Sequence, residues 1–180
     1  MKDMRLTIMG MLIAIPAICS KIQIPIGLVP VTLQTLAIFI IAYICTPKES
    51  FWTILAYIVM GIIGIPVFAS GGGLSYIMQP SAGYLLGFLI ACPMISHMKS
   101  WYKNLYVQVV SGFMGLLIIY AIGITYFLFI QRVLNGMSYD GIWIMNSLVL
   151  TYLPTDIVSI VIACYLSARV YPYAFSRVSV

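Results

Sequence analysis

Between Phe51 and Ser96 the chain carries no charged side chain, a run of 46 residues. At about 1.5 Å of rise per helical residue and a ~30 Å hydrocarbon core, such a run is too long for one membrane crossing and suits two. Leu105 to Gln131 is a second charge-free run, of 27 residues, enough for one more. Charged residues make up 7% of the chain and apolar ones 63%, against roughly 25% charged in an ordinary soluble domain. Too few polar side chains remain to clothe the surface of a soluble fold. Inside a bilayer the backbone must satisfy its own hydrogen bonds, which leaves helices or a closed barrel. The apolarity is continuous rather than alternating, so the expected fold class is an all-α integral membrane protein.

Six crossings are expected, at Leu6–Ser20, Val31–Thr46, Phe51–Ser70, Ala82–Ser96, Leu105–Ile130 and Pro154–Ala168. The first imitates a secretory signal, since Lys2 and Arg5 precede the apolar stretch Leu6 to Cys19. A lipoprotein site would want a small residue before the cysteine, and Ile18 stands there with Pro16 two further back, so the segment is read as a first helix. Gly141–Leu153 is apolar but runs into Pro154, and proline favours the first turn of a helix. That stretch is therefore expected to be an outer amphipathic helix or a loop pressed onto the bundle.

Charge orients the bundle. Six crossings put Lys2, Arg5, Lys48, Lys99, Lys103, Arg169 and Arg177 on one side and only Lys21 and Arg132 on the other. By the positive-inside rule both termini are expected in the cytoplasm of a bacterial cell, with the protein multi-pass in its inner membrane. No internal repeat or linker divides residues 1–180, which read as one transmembrane domain. The +5 net charge lies beside membrane ends, where basic residues serve topology and touch lipid headgroups, rather than in a groove for nucleic acid.

Enzymatic readings lack parts. There is one histidine, His97, and four acids, Asp3, Glu49, Asp140 and Asp156. No paired carboxylates, metal cluster or nucleophile with a base can be assembled from them, so no catalytic or metal-ligating residue is assigned. Cys19, Cys45, Cys92 and Cys164 are dispersed through apolar runs and suggest neither a metal site nor a disulfide framework. No phosphate-binding G-x-x-x-x-G-K-[ST] sequence occurs, so any ATP-derived energy must come from a partner.

Four polar or small-residue features remain. Pro30-Val31-Thr32-Leu33-Gln34 opens the second crossing, where Thr32 and Gln34 are either ligand groups or a helix cap with an interfacial anchor. Gly71-Gly72-Gly73 permits close backbone approach to a ligand, or is a plain flexible loop. It leads to Pro80-Ser81-Ala82-Gly83-Tyr84, a helix start whose amides favour polar acceptors and whose Tyr84 offers a flat face with a polar tip. Leu153-Pro154-Thr155-Asp156 holds the one carboxylate expected at or inside a membrane helix. Such a group is a functional candidate by default, its plainer role being to stabilise the helix dipole. In the first helix, Gly10 and Ala14 are four residues apart and form with Ala17 a small-residue face suited to close helix approach, in this chain or with a partner.

In this order the segments resemble the BioY family, the biotin-specific S components of energy-coupling-factor transporters. The matching residues are Gly10/Ala14/Ala17, Pro30 to Gln34, Gly64-Ile65-Pro66-Val67-Phe68, Gly71 to Gly73, Pro80 to Tyr84, and Pro154-Thr155-Asp156. They run from the first helix to the sixth. The resemblance implies a six-helix bundle that captures biotin at the outer face and works with a transmembrane T component and two cytoplasmic ATPases. It implies a biotin site of Thr32, Gln34, Gly72, Gly73, Ser81, Tyr84, Asp156 and Ser159, with Gly10, Ala14 and Ala17 facing the T component, biotin as transported ligand and no resident cofactor. Asp156 suits the ureido N–H groups, and the glycine-loop amides and hydroxyls near Ser81 suit the carbonyl or carboxylate. Two positions depart from the family pattern. Thr155 replaces a glycine, and Ser159 stands where a lysine is usual. Lys21 and Arg132 are the alternative cations for a valerate carboxylate, unless the ligand is another vitamin such as riboflavin or thiamin. A membrane assembly protein would need no polar outer pocket.

Overall fold

The computed structural model describes residues 2–26, 28–101 and 104–175. Helix α1 (Lys2–Cys19) is followed by a short antiparallel hairpin, β1 (Gln23–Ile24) and β2 (Val31–Thr32), with Gln23 opposite Thr32 and Ile24 opposite Val31. Then come α2 (Gln34–Ile44), α3 (Pro47–Ile62), a 3-10 turn at Leu74–Met78, α4 (Ala82–Trp101) and α5 (Leu105–Asn135). A short α6 (Gly141–Ile144) winds into a π-helical turn, Met145–Leu150, before α7 (Leu153–Phe175).

Local sequence sets the boundaries. Thr46 and Glu49 form a reciprocal capping box, with Pro47 in the first turn of α3, so two otherwise unpaired amide donors are satisfied where the chain turns back. Glu49 also meets Arg5 at 2.9 Å, tying the start of α1 to that of α3. The Asn104 side chain caps α5, and Gly136, in the left-handed conformation at φ 63°, ends it as a glycine after a helix commonly does.

Each of α1, α2, α3, α4, α5 and α7 falls on one of the six expected crossings, with shifted ends. The second was expected from Val31, but Val31 and Thr32 pair in the hairpin and the helix starts at Gln34. The third was expected to reach Ser70. It stops at Ile62 because Gly64 adopts φ 109° and Pro66 follows, and proline cannot continue the ladder. The fourth, fifth and sixth run on to Trp101, Asn135 and Phe175. The stretch expected as an outer helix or loop is α6 with its π turn.

The core is apolar, and so is much of the outer surface. The largest fully buried side chains include Tyr43, Tyr57, Phe39, Phe68 and Phe127, while Leu6, Leu117, Phe129, Val158 and Tyr165 face outward. Large apolar side chains on the outside of an apolar core are the mark of a bundle whose solvent is lipid. Two helical stretches, Leu105–Asn135 and Gly141–Val170, are long and apolar enough to cross a membrane by themselves, and Arg5–Cys19 and Gln34–Ile44 are shorter apolar helices. Helix α2 packs against α1, α4 and α7 and is buried along most of its length. With 11 residues, or about 16 Å, it relies on the hairpin to complete its thickness.

Close approach of α4 and α5 depends on absent side chains. A Cβ at Gly87 would sit 3.0 Å from the Ile119 Cα and 3.2 Å from its carbonyl oxygen. Where lipid supplies no hydrophobic drive between helices, such backbone proximity supplies the packing energy. Gly87→Val should therefore force the helices apart, cost about 1–3 kcal/mol and lower the melting temperature in detergent. Leu86→Val, at an exposed neighbour, should leave it unchanged. Equal melting of the two variants would show that this contact carries no stability.

Candidate ligand-binding site

A cavity opens at the hairpin end of the bundle, with about 580 Å³ of empty space including its open mouth. Its wall is built from five places in the chain. The hairpin and the first turn of α2 bring Val29 to Gln34 and Thr35, and the loop after α3 brings Ala69 and Tyr76. The start of α4 brings Ser81, Tyr84, Leu85 and Phe88, mid-α5 brings Ile119 and Tyr120, and the start of α7 brings Tyr152, Thr155 and Asp156. Aliphatic and aromatic surfaces alternate with hydroxyls. Such a lining suits a compact, mostly apolar molecule with a few polar atoms.

Asp156 lies in the first turn of α7 and is 5% exposed. The Tyr120 hydroxyl donates to its Oδ2 at 2.6 Å, a charge-assisted length. Thr35 is a second side-chain contact of the same carboxylate. A carboxylate accepts at about four positions, so acceptor capacity remains for a ligand. Tyr152 sits four residues earlier, in the turn just before α7, its carbonyl accepting from the Asp156 amide at 3.0 Å. Its hydroxyl donates to the Val29 carbonyl, strapping the hairpin to α7.

Tyr84 is the complementary group. Its hydroxyl is buried and has no hydrogen-bond partner, a costly state for a polar atom unless something enters to satisfy it. The ring has room because position 123 is glycine: a Cβ there would come within 2.7 Å of it. Ser81 and Tyr76 share a hydrogen bond at 3.0 Å. Burial pushes the Tyr76 phenol up from its ordinary range, so that group stays neutral.

Of the residues expected at the site, Thr32, Gln34, Ser81, Tyr84 and Asp156 line the cavity together. Thr32 Oγ1 accepts from the Gln34 amide at 3.3 Å. Gln34 donates through Nε2 to the Tyr57 hydroxyl at 2.8 Å. Gly72, Gly73 and Ser159 are not on the wall. A Cβ at Gly72 would collide with the Ile65 carbonyl, so that glycine serves close chain packing. The Gly73 amide donates to the Gly61 carbonyl at 2.7 Å. Ser159 is one turn deeper on the face of α7 that carries Thr155, and its hydroxyl donates to the Thr155 carbonyl at 2.8 Å. Gly10 and Ala14 lie far along α1, exposed, with nothing within 4 Å of a Cβ at Gly10. Ala17 packs partly against the core.

Sequence reasoning missed Thr35, Tyr76, Tyr120, Tyr152 and Thr155 as lining residues. Tyr152 and Thr155 had a signal, since positions four and one before a helical aspartate share or flank its face. Tyr120 had none, being one tyrosine inside an apolar run.

The chain is thus an apolar helical bundle with a partly polar cavity at its hairpin end. The fold matches a crystal structure at 2.1 Å of the S-component for biotin from an ECF-type ABC transporter. The TM-score is 0.71 at 23% identity, over 94% of this chain and 91% of that one. The profile of the BioY family matches residues 1–175, and the chain belongs to that family. The biotin transporter BioY of Thermotoga maritima is 30% identical over 164 residues, 89% of this chain and 91% of the relative. A probable biotin transporter BioY of Lysinibacillus sphaericus is 38% identical over 125 residues, 67% of this chain and 63% of the relative. Biotin transporter BioY2 of Lactococcus lactis is 46% identical over 92 residues, 51% of this chain and 50% of the relative. The matched stretches thus span less than two thirds of these last two proteins.

The two tyrosines should respond oppositely to loss of the hydroxyl in ligand-free protein. Tyr120→Phe removes a donor from a buried carboxylate and should cost about 1.5–3 kcal/mol. Tyr84→Phe removes a buried hydroxyl that has no partner and should leave the melting temperature equal or higher. A destabilised Tyr84→Phe would mean that its hydroxyl is already satisfied without ligand.

Proposed function

We propose that this chain is the biotin-capturing membrane subunit of an energy-coupling-factor transporter, a binding protein and not an enzyme. The observation that carries the reading is the presence, on the wall of one cavity, of a buried carboxylate with spare acceptor capacity, Asp156, and a buried unpartnered hydroxyl, Tyr84. Biotin's ureido group presents two N–H donors on one edge and a carbonyl acceptor on the other. Asp156 receives the donors and Tyr84 donates to the carbonyl, while Phe88, Leu85 and Ile119 enclose the fused rings. Family membership and the biotin-related descriptions of the relatives support the same ligand.

The cavity end faces outward in this reading. Seven of the nine basic residues belong to the opposite side by their place in the sequence, which puts both termini in the cytoplasm of a bacterial inner membrane. Residues 1–180 act as one transmembrane domain. The chain has no phosphate-binding loop of its own, so release inward is driven by a T component and two cytoplasmic ATPases. Exposed Gly10 and Ala14 on α1, beside outward-facing Leu6, Met11 and Ile18, offer the T component a surface of low relief.

Two variants separate capture from coupling. Asp156→Asn keeps shape and one acceptor but loses the charge-assisted bond, so biotin affinity measured by titration in detergent should fall by about tenfold to a hundredfold. Unchanged affinity in folded protein would reduce Asp156 to a helix-start residue. Ala14→Leu should leave that affinity intact and impair uptake in cells, because bulk at an exposed position blocks the partner helix without touching the cavity. Normal uptake by Ala14→Leu would remove this face from coupling.

A further inference from the structure

Asp156 is the one ionisable carboxylate on the cavity wall, and among the described residues no Lys, Arg or His lines it. Neither of the two basic residues expected on this side lines the cavity. Lys21 directs its Nζ to the Phe68 carbonyl at 2.6 Å, and Arg132 is exposed in the last turn of α5. Four of the backbone amides in the glycine loop and at the start of α4 are occupied. Gly71 donates to Phe68 at 3.1 Å, Gly73 to Gly61 at 2.7 Å, Ala82 to Gln79 at 3.0 Å and Tyr84 to Ser81 at 3.2 Å. The wall's remaining side-chain donors are hydroxyls and the Gln34 carboxamide, which can donate to a neutral acceptor but carry no positive charge.

An anion drawn into this cavity would shed water and meet a carboxylate of its own sign, with no cation to offset either cost. A neutral ring with N–H donors meets no such obstacle. We infer that the cavity binds the uncharged ring portion of its ligand and is indifferent to the charge at the end of the tail, so that carboxyl-neutralised biotin derivatives are ligands equal to biotin. The inference rests on the biotin reading and sharpens it. The substrate class becomes biotin together with its tail amides, with the tail end left in water at the mouth.

Biotinamide is the probe, being nearly the same shape as biotin and uncharged. Wild-type protein in detergent is titrated calorimetrically with biotin and with biotinamide at pH 7. The expected result is a biotinamide Kd within about fivefold of that for biotin, or tighter, a difference of less than about 1 kcal/mol. A carboxylate held by a charge-assisted bond would instead lose about tenfold to a hundredfold on neutralisation. Binding of biotin with biotinamide weaker by more than about fivefold therefore overturns the inference and leaves the biotin reading standing. Failure of both to bind folded protein overturns the two together.

Discussion

A carboxylate inside a lipid-solvated bundle must be given hydrogen-bond donors or it will not stay charged and buried. Asp156 meets that demand through Tyr120 from mid-α5, at 2.6 Å, with Thr35 from α2 beside it. Helices α5 and α7 are therefore tied at one group, with α2 alongside. The same helices form the wall on which a ligand would rest. The cost of burying a charge, at roughly 2.5–3.5 kcal/mol for an aspartate at mid-bilayer on insertion scales, explains why hydroxyls gather here in a chain otherwise so apolar. It also explains why the acid sits in a first helical turn, where the dipole favours it.

A second hydrogen-bonded layer holds the rim. Gln34 donates to Tyr57, whose hydroxyl donates to the Val67 carbonyl at 2.9 Å. Ser20, at the end of α1, reaches the same carbonyl at 2.7 Å. Phe68 is fully buried beside Val67 and packs edge-on against Tyr57 and tilted against Tyr76. The irregular segment between α3 and α4 is thus held from both sides by buried bonds and rings. Irregular backbone at this depth is tolerated only where its polar groups are satisfied in this way. A satisfied network of this kind pre-organises a wall, which lowers the ordering cost of binding.

Much of this was legible in the sequence. Charge-free runs located the helices, because lipid imposes a length and an apolarity that nothing else requires. Asp156, Thr32, Gln34, Ser81 and Tyr84 were legible because a polar residue at the edge of an apolar segment is conspicuous. The hairpin was not, since two-residue strands leave no periodicity to read. Tyr120 was not, because a tyrosine amid leucines and isoleucines looks like any core or interface residue until its partner is placed. The glycine run suggested a ligand contact, but its close fit under Ile65 and the bond from Gly73 to Gly61 tie it to the chain's own turn. Ser159 likewise turned to its own helix. Sequence names the groups able to bind, while only packing decides which of them the chain has already used.

The central claim is that a cavity framed by Asp156 and Tyr84 takes a cyclic urea from the outer side of a membrane. The most direct measurement is the identity of whatever the protein carries when purified in mild detergent from cells grown with vitamins, read by mass spectrometry after denaturation. Biotin or a tail-modified biotin approaching one per chain is the predicted result, with markedly less in a folded Asp156→Asn preparation. A different vitamin at that stoichiometry, or biotin retained equally by both preparations, would contradict it.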